Sequence, residues 1–136
     1  MPSEDRCQQA IIRALLKEGW QVLVSQYLIL FGRKNRRLYT DLALSHPAEP
    51  KPILVEVKCF HGPYPMPELY QVLGQYQLYR QCLDRRQIDF PLYLAIPDVA
   101  YQSLFTEPEV KAILKYARIK LLVVDLRQEE VLRWIR

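Results

Sequence analysis

Nowhere in its 136 residues does this chain carry an apolar run long enough to cross a bilayer. The best candidates, residues 21–31 and 120–125, are interrupted or far short of the roughly 20 residues a spanning helix needs. Residues 1–20 lack the compact apolar centre and cleavage site of a signal peptide, and they carry Glu4, Asp5 and Glu18. The expectation is a cytoplasmic protein with no membrane partner. Cysteine is scarce: Cys7, Cys59 and Cys82 are an odd count without paired spacing, and with His46 and His61 they form no zinc-ligand pattern. They are expected to be reduced and to act as small apolar side chains. Repeats, linkers and low-complexity stretches are absent too, so residues 1–136 read as a single domain. Half the residues are hydrophobic, which excludes a disordered chain and is enough for one substantial core.

What the chain does have is a charged strand. Ile53-Leu54-Val55-Glu56-Val57-Lys58 is apolar except for two opposite charges two residues apart. Side chains alternate along a strand, so Glu56 and Lys58 share one face while Val55 and Val57 take the other. A strand this apolar holds charges where a metal ion, a substrate phosphate or a salt bridge offsets them. Asp41 stands fifteen positions before Glu56, with the turn-forming run His46-Pro47-Ala48-Glu49-Pro50-Lys51-Pro52 between them. If Asp41 lies on an antiparallel neighbour, the two carboxylates approach and repel unless a cation sits between them. A hard ion such as Mg²⁺ suits those oxygens, and Lys58 would activate water or stabilise charge on a phosphate. An acid-x-Lys pair on a strand also reads as a plain structural ion pair.

The net charge of +4 is modest and unevenly spread. Arg33-Lys34-Asn35-Arg36-Arg37 is the densest basic cluster, followed by Arg80, Arg85 and Arg86, then Lys111, Lys115, Arg118 and Lys120. The first cluster reads either as a solvated hairpin tip or as a set of phosphate contacts whose binding falls with salt.

The element pattern is mixed. Ser3 can cap a helix over about residues 4–18, with Cys7, Ile11, Ala14 and Leu15 as its buried stripe and Gly19 as its stop. Residues 20–24, 27–31 and 38–44 read as strands, with a basic turn at 32–37. The Glu56 strand opens at Pro52 and closes by His61-Gly62-Pro63. A helix over about 67–84 buries Leu69, Val72, Leu73, Tyr76 and Leu83, and Gly74 within it implies close approach of another backbone. A strand at 91–97, a helical stretch at 99–116 broken at Pro108, a strand at 119–125 and an edge strand at 131–135 complete a mixed α/β fold. On the second helix, Glu68, Val72, Gln75 and Tyr79 lie along one line. If that line faces the Glu56 strand, Gln75 reaches the metal site; otherwise Gln75 is a boundary glutamine and Tyr79 a half-buried aromatic.

Several of these segments together resemble a known family over essentially the full length. They are residues 3–20, Leu38-Tyr39-Thr40-Asp41-Leu42, Val55-Glu56-Val57-Lys58, Leu73-Gly74-Gln75-Tyr76-Gln77-Leu78-Tyr79-Arg80, Leu92-Tyr93-Leu94-Ala95-Ile96-Pro97 and Leu121-Leu122-Val123-Val124-Asp125 through Arg133-Trp134-Ile135. The family is the cyanobacterial XisH family of fdxN-element excision controlling factors, which also resembles the PD-(D/E)xK nucleases. The resemblance implies a restriction-endonuclease-like core, a central mixed β-sheet flanked by helices. It implies Asp41 and Glu56 as ligands of Mg²⁺ or Mn²⁺, with the Val57 carbonyl adding a third. Lys58 would be the catalytic lysine, and the helical Gln-x-x-x-Tyr would match Gln75, orienting Lys58 or phosphate, and Tyr79. DNA is the implied partner, contacted by Arg33, Lys34, Arg36, Arg37 and Tyr79. An XisI-like small protein and a site-specific recombinase would act with it in a homo- or hetero-oligomer.

Two functions follow from the resemblance: a Mg²⁺-dependent DNA endonuclease, or a non-catalytic DNA- or partner-binding accessory to the recombinase. The chain departs from the family where Gln8 replaces a frequent His and Ser25-Gln26 replaces an Asp-Pro pair, which leaves Glu4 and Asp5 as weak candidates. Thr40 stands where the superfamily's name has Pro.

Overall fold

Strand alternation sorts the apolar residues of the chain onto two faces of one sheet, and the computed structural model, which describes residues 4–136, shows how the helices cover them. Six strands pair in the order β1 (Gln21–Val24), β4 (Leu42–Ser45), β5 (Ile53–Val57), β6 (Leu92–Pro97), β7 (Lys120–Asp125) and β8 (Glu130–Ile135). The β5–β6 and β6–β7 pairs are parallel and the rest antiparallel. β5 and β6 are buried along their whole length, as parallel strands covered on both faces must be. Two further strands, β2 (Tyr27–Phe31) and β3 (Arg36–Thr40), form a separate antiparallel hairpin.

Helix α1 (Glu4–Lys17) covers the face that carries Ile53, Val55 and Val57, burying Cys7, Ile11, Ala14 and Leu15 as its pattern predicts. Gly19 ends it with φ +92°, a backbone state that favours glycine. Ser3 lies outside the described residues, as do the side chains of Glu4 and Asp5. Helix α2 (Pro65–Arg85) covers the opposite face, packing Leu69, Val72, Tyr76 and Leu83 on Leu54, Leu92 and Leu94. A short helix α3 (Asp98–Ala100) runs into a π-helical turn (Tyr101–Phe105) before α4 (Pro108–Tyr116). No helix among the described residues is long and apolar enough to cross a membrane.

Three expectations change. The strand expected at 38–44 is two strands: β3 belongs to the hairpin, β4 to the main sheet, and Asp41 sits at the break. Cys7 and Cys59 form a disulfide, with Cα atoms 6.4 Å apart, where reduced thiols were expected; only Cys82 is free among the described residues. Packing of α1 on the end of β5 brings the pair together across 52 residues, a juxtaposition that spacing does not encode. Gly74 meets nothing, since a Cβ there would find open space, because its side of α2 lies away from the buried Val72 and Tyr76.

Candidate functional site

Antiparallel register builds the site. Leu42 pairs with Val55 and Ala43 with Leu54, so Asp41, one residue before β4, comes level with Glu56. There the Val57 N–H donates to Asp41 Oδ2 at 2.8 Å. Leaving the sheet at Asp41 lets the carboxylate turn back onto the end of β5 rather than continue the ladder. Val55 and Val57 enter the α1 core, which directs Glu56 to the α2 side as the alternation requires.

Glu56 is 8% exposed, and its Oε1 is buried with no hydrogen-bond partner. Burial, and next the charge of Asp41, push its carboxyl up to about 8; a backbone hydrogen bond at Asp41 and the Lys58 charge oppose this. Burial also raises Asp41 from its ordinary value, against the pull of the Val57 N–H, Glu56 and Lys58. Two acids raised side by side are the electrostatic signature of a pair short of positive charge. The oxygen donors suit a hard divalent cation. Among the described residues no group of three or more His, Cys, Asp or Glu side chains could hold a metal ion, so an ion at this pair would have to draw its remaining ligands from main-chain oxygen, water or substrate.

Lys58 follows β5 directly, its N–H bonded to the Ala95 carbonyl at 3.0 Å. Its ammonium donates to Gln71 Oε1 at 3.3 Å and lies 3.8 Å from Glu68 Oε1. Glu68 Oε2 also accepts from the Gly62 N–H at 3.4 Å, tying the loop after Lys58 to the first turn of α2. Gln75 makes no hydrogen bond or ion pair among the described residues and is half-buried. Tyr79 is buried; its phenol is pushed up to about 12 by burial, then by the nearby charges of Glu56 and Asp41. It therefore stands at the carboxylates rather than on an open surface. The Thr40 hydroxyl, one residue before Asp41, is also buried without a partner.

Glu68 and Gln71 are the residues that the sequence reading missed in this role. Glu68 lies on the line traced through Val72, Gln75 and Tyr79 but was given no role there, and Gln71 lies off that line; Lys58 meets both. The signal was the short connection from Lys58 to Pro65, which confines any helical partner of Lys58 to the first turns of α2. Arg33, Lys34, Arg36 and Arg37 are all exposed on the β2–β3 hairpin, away from Asp41 at its base.

A family model described as XisH protein matches residues 1–132. The chain belongs to the XisH family. The fold agrees: a crystal structure of an XisH family protein from Nostoc punctiforme is 33% identical, covering 97% of this chain and all of that one, with a TM-score of 0.87. A fdxN element excision controlling factor protein from Anabaena variabilis is 31% identical, covering 98% of this chain and all of that one, with a TM-score of 0.88. No curated protein matches the chain.

Proposed function

We propose that this XisH-family chain is a PD-(D/E)xK-type, Mg²⁺- or Mn²⁺-dependent DNA endonuclease that serves excision of a DNA element in the cytoplasm, together with an XisI-like partner and a site-specific recombinase. One observation carries the reading: Glu56 Oε1 is buried without a partner beside a second raised carboxyl, an arrangement that a divalent cation relieves. Asp41, Glu56 and the Val57 carbonyl would hold the ion. A bound divalent ion supplies charge stabilisation at the phosphate and an acidified water.

The chain's own groups do the rest. The Val57 N–H donates to Asp41 Oδ2, which fixes the orientation of a carboxylate that would hold the ion. Lys58, steadied by Gln71 and Glu68, presents a positive charge to the developing negative charge of the phosphodiester. Tyr79, buried near the two carboxyls, adds to the low-dielectric surroundings that raise them.

The test is nicking and cleavage of supercoiled, linear and branched DNA with Mg²⁺ or Mn²⁺, with and without the XisI-like partner. Glu56→Ala is expected to reduce the rate by at least about a hundredfold, more than outer-shell changes at metal sites bring, while the domain stays folded. Cleavage by that variant at the wild-type rate overturns the assignment. No cleavage by folded wild type under any of these conditions replaces the enzyme with a non-catalytic accessory.

A further inference from the structure

Two basic clusters that are far apart in sequence form the walls of one groove. Phe31, Gly32 and Arg33 of the hairpin face Leu78, Cys82 and Arg85 of α2 across a cleft of about 620 Å³. Arg86 fastens the two walls: its Nε donates to the Leu30 carbonyl at 3.3 Å and its Nη2 to Asn35 Oδ1 at 2.8 Å. Arg33 and Arg85 are exposed and make no ion pair among the described residues, and the same holds for Lys34, Arg36 and Arg37 beside them. No acidic side chain among the described residues lines the cleft.

One stripe of α2 leads from the cleft towards the carboxylate site. Gln71, Gln75, Leu78, Cys82 and Arg85 recur at spacings of four and three and so share one stripe of α2. The stripe starts at Gln71, which holds Lys58, and ends at Arg85 in the cleft, ~21 Å away at 1.5 Å per residue. β3 covers ~17 Å between Asp41 and Arg36 on the other wall.

We propose that this track binds the sugar-phosphate backbone of DNA. A strand lying along it places phosphates between Arg33 and Arg85 about five to six nucleotides from the Asp41–Glu56 pair, at ~3.4 Å per nucleotide. Gln75, whose amide has no partner within the described residues, donates to the strand on the way. A polyanion of evenly repeated charge matches two walls that carry guanidinium groups without ion pairs, and the apolar lining of Phe31 and Leu78 accepts sugar and base faces. The position of the scissile phosphate rests on the nuclease reading; the charge of the groove does not.

The experiment is fluorescence anisotropy of a labelled 20-base-pair DNA with the full chain, titrated with NaCl in EDTA so that no cleavage intervenes. Arg33→Ala/Arg85→Ala is expected to lower affinity at low salt about tenfold and to reduce the slope of log K against log salt by about two, the loss of two phosphate contacts. Arg33→Lys/Arg85→Lys should keep the slope, and Lys111→Ala/Lys115→Ala should change neither quantity. An unchanged slope in the alanine pair overturns the proposal, as does equal competition by polyglutamate or preferential binding to anionic phospholipid vesicles. The two readings fail separately: wild type that binds through the groove without cutting removes the nuclease and keeps the track, whereas cutting and binding indifferent to Arg33 and Arg85 removes the track and keeps the nuclease.

Discussion

At Glu56 a single side chain opposes burial to charge, and the consequence is a pH dependence of fixed sign. Its carboxyl is raised to about 8 in the folded protein from an ordinary value of 4.5, so between those values the folded state binds more protons than the unfolded one. Stability of metal-free protein therefore falls as pH rises through that window, by at most about 1.4 kcal/mol per pH unit from this group. Asp41, raised in the same direction, adds the same sign. Urea unfolding in EDTA between pH about 5 and about 8 should show the decline, and Glu56→Gln, which cannot ionise, should flatten it; parallel curves for the two proteins would remove the burial argument. Gly74 is the opposite case, a residue with nothing opposing change. It sits within α2 with open space where a Cβ would be, so Gly74→Ala should stabilise the fold by about 0.5–1 kcal/mol through lower backbone entropy in the unfolded chain. A destabilised variant would show that a neighbour closes on it.

Between elements, the decisive contacts are those that no single segment encodes. Tyr76 lies on the buried stripe that its helical spacing predicts, yet its hydroxyl joins three elements: it donates to the Leu92 carbonyl at 2.6 Å and accepts from the Lys120 N–H at 3.2 Å. It thereby holds the starts of β6 and β7 under α2. Tyr76→Phe keeps the packing but leaves the two backbone groups without that partner, which should cost about 1–3 kcal/mol in chemical denaturation; a change within error would mean that water takes over both bonds. The same distinction explains what was legible in the chain. Alternation along residues 53–58 placed Glu56 and Val57 on opposite faces, and the proline-rich turn between Asp41 and Glu56 announced an antiparallel pair, because both signals are local. The break after Thr40 carries no Gly or Pro mark, since it arises where the hairpin leaves the main sheet. Which line of α2 meets Lys58 depends on helix rotation, set by packing of Val72 and Tyr76, so the short connection confined the partner to the first turns of α2 without singling out Gln71. The Cys7–Cys59 link and the groove shared by Arg33 and Arg85 are likewise products of tertiary approach.

For the whole molecule, the proposed ion would compete with protons for the oxygens of the Asp41–Glu56 pair, which would couple its binding to global stability. An ion bound only by the folded state stabilises it by RT ln(1 + [L]/Kd), about 2.7 kcal/mol at a hundred times Kd. Because the ligands must be ionised to bind, that gain is smallest where Glu56 is protonated and grows as pH approaches its value of about 8. The metal-free curve declines over the same range, so Mg²⁺ should progressively cancel the decline: thermal melts in EDTA and in excess Mg²⁺ should nearly coincide near pH 5 and separate by several degrees near pH 8. In Glu56→Gln the two series should stay together at every pH. A Mg²⁺ shift that is independent of pH, or that survives in Glu56→Gln, would place the ion elsewhere on the molecule and detach it from the Asp41–Glu56 pair. With the ion held as proposed, alkaline pH would loosen the unoccupied fold while strengthening its hold on the ion.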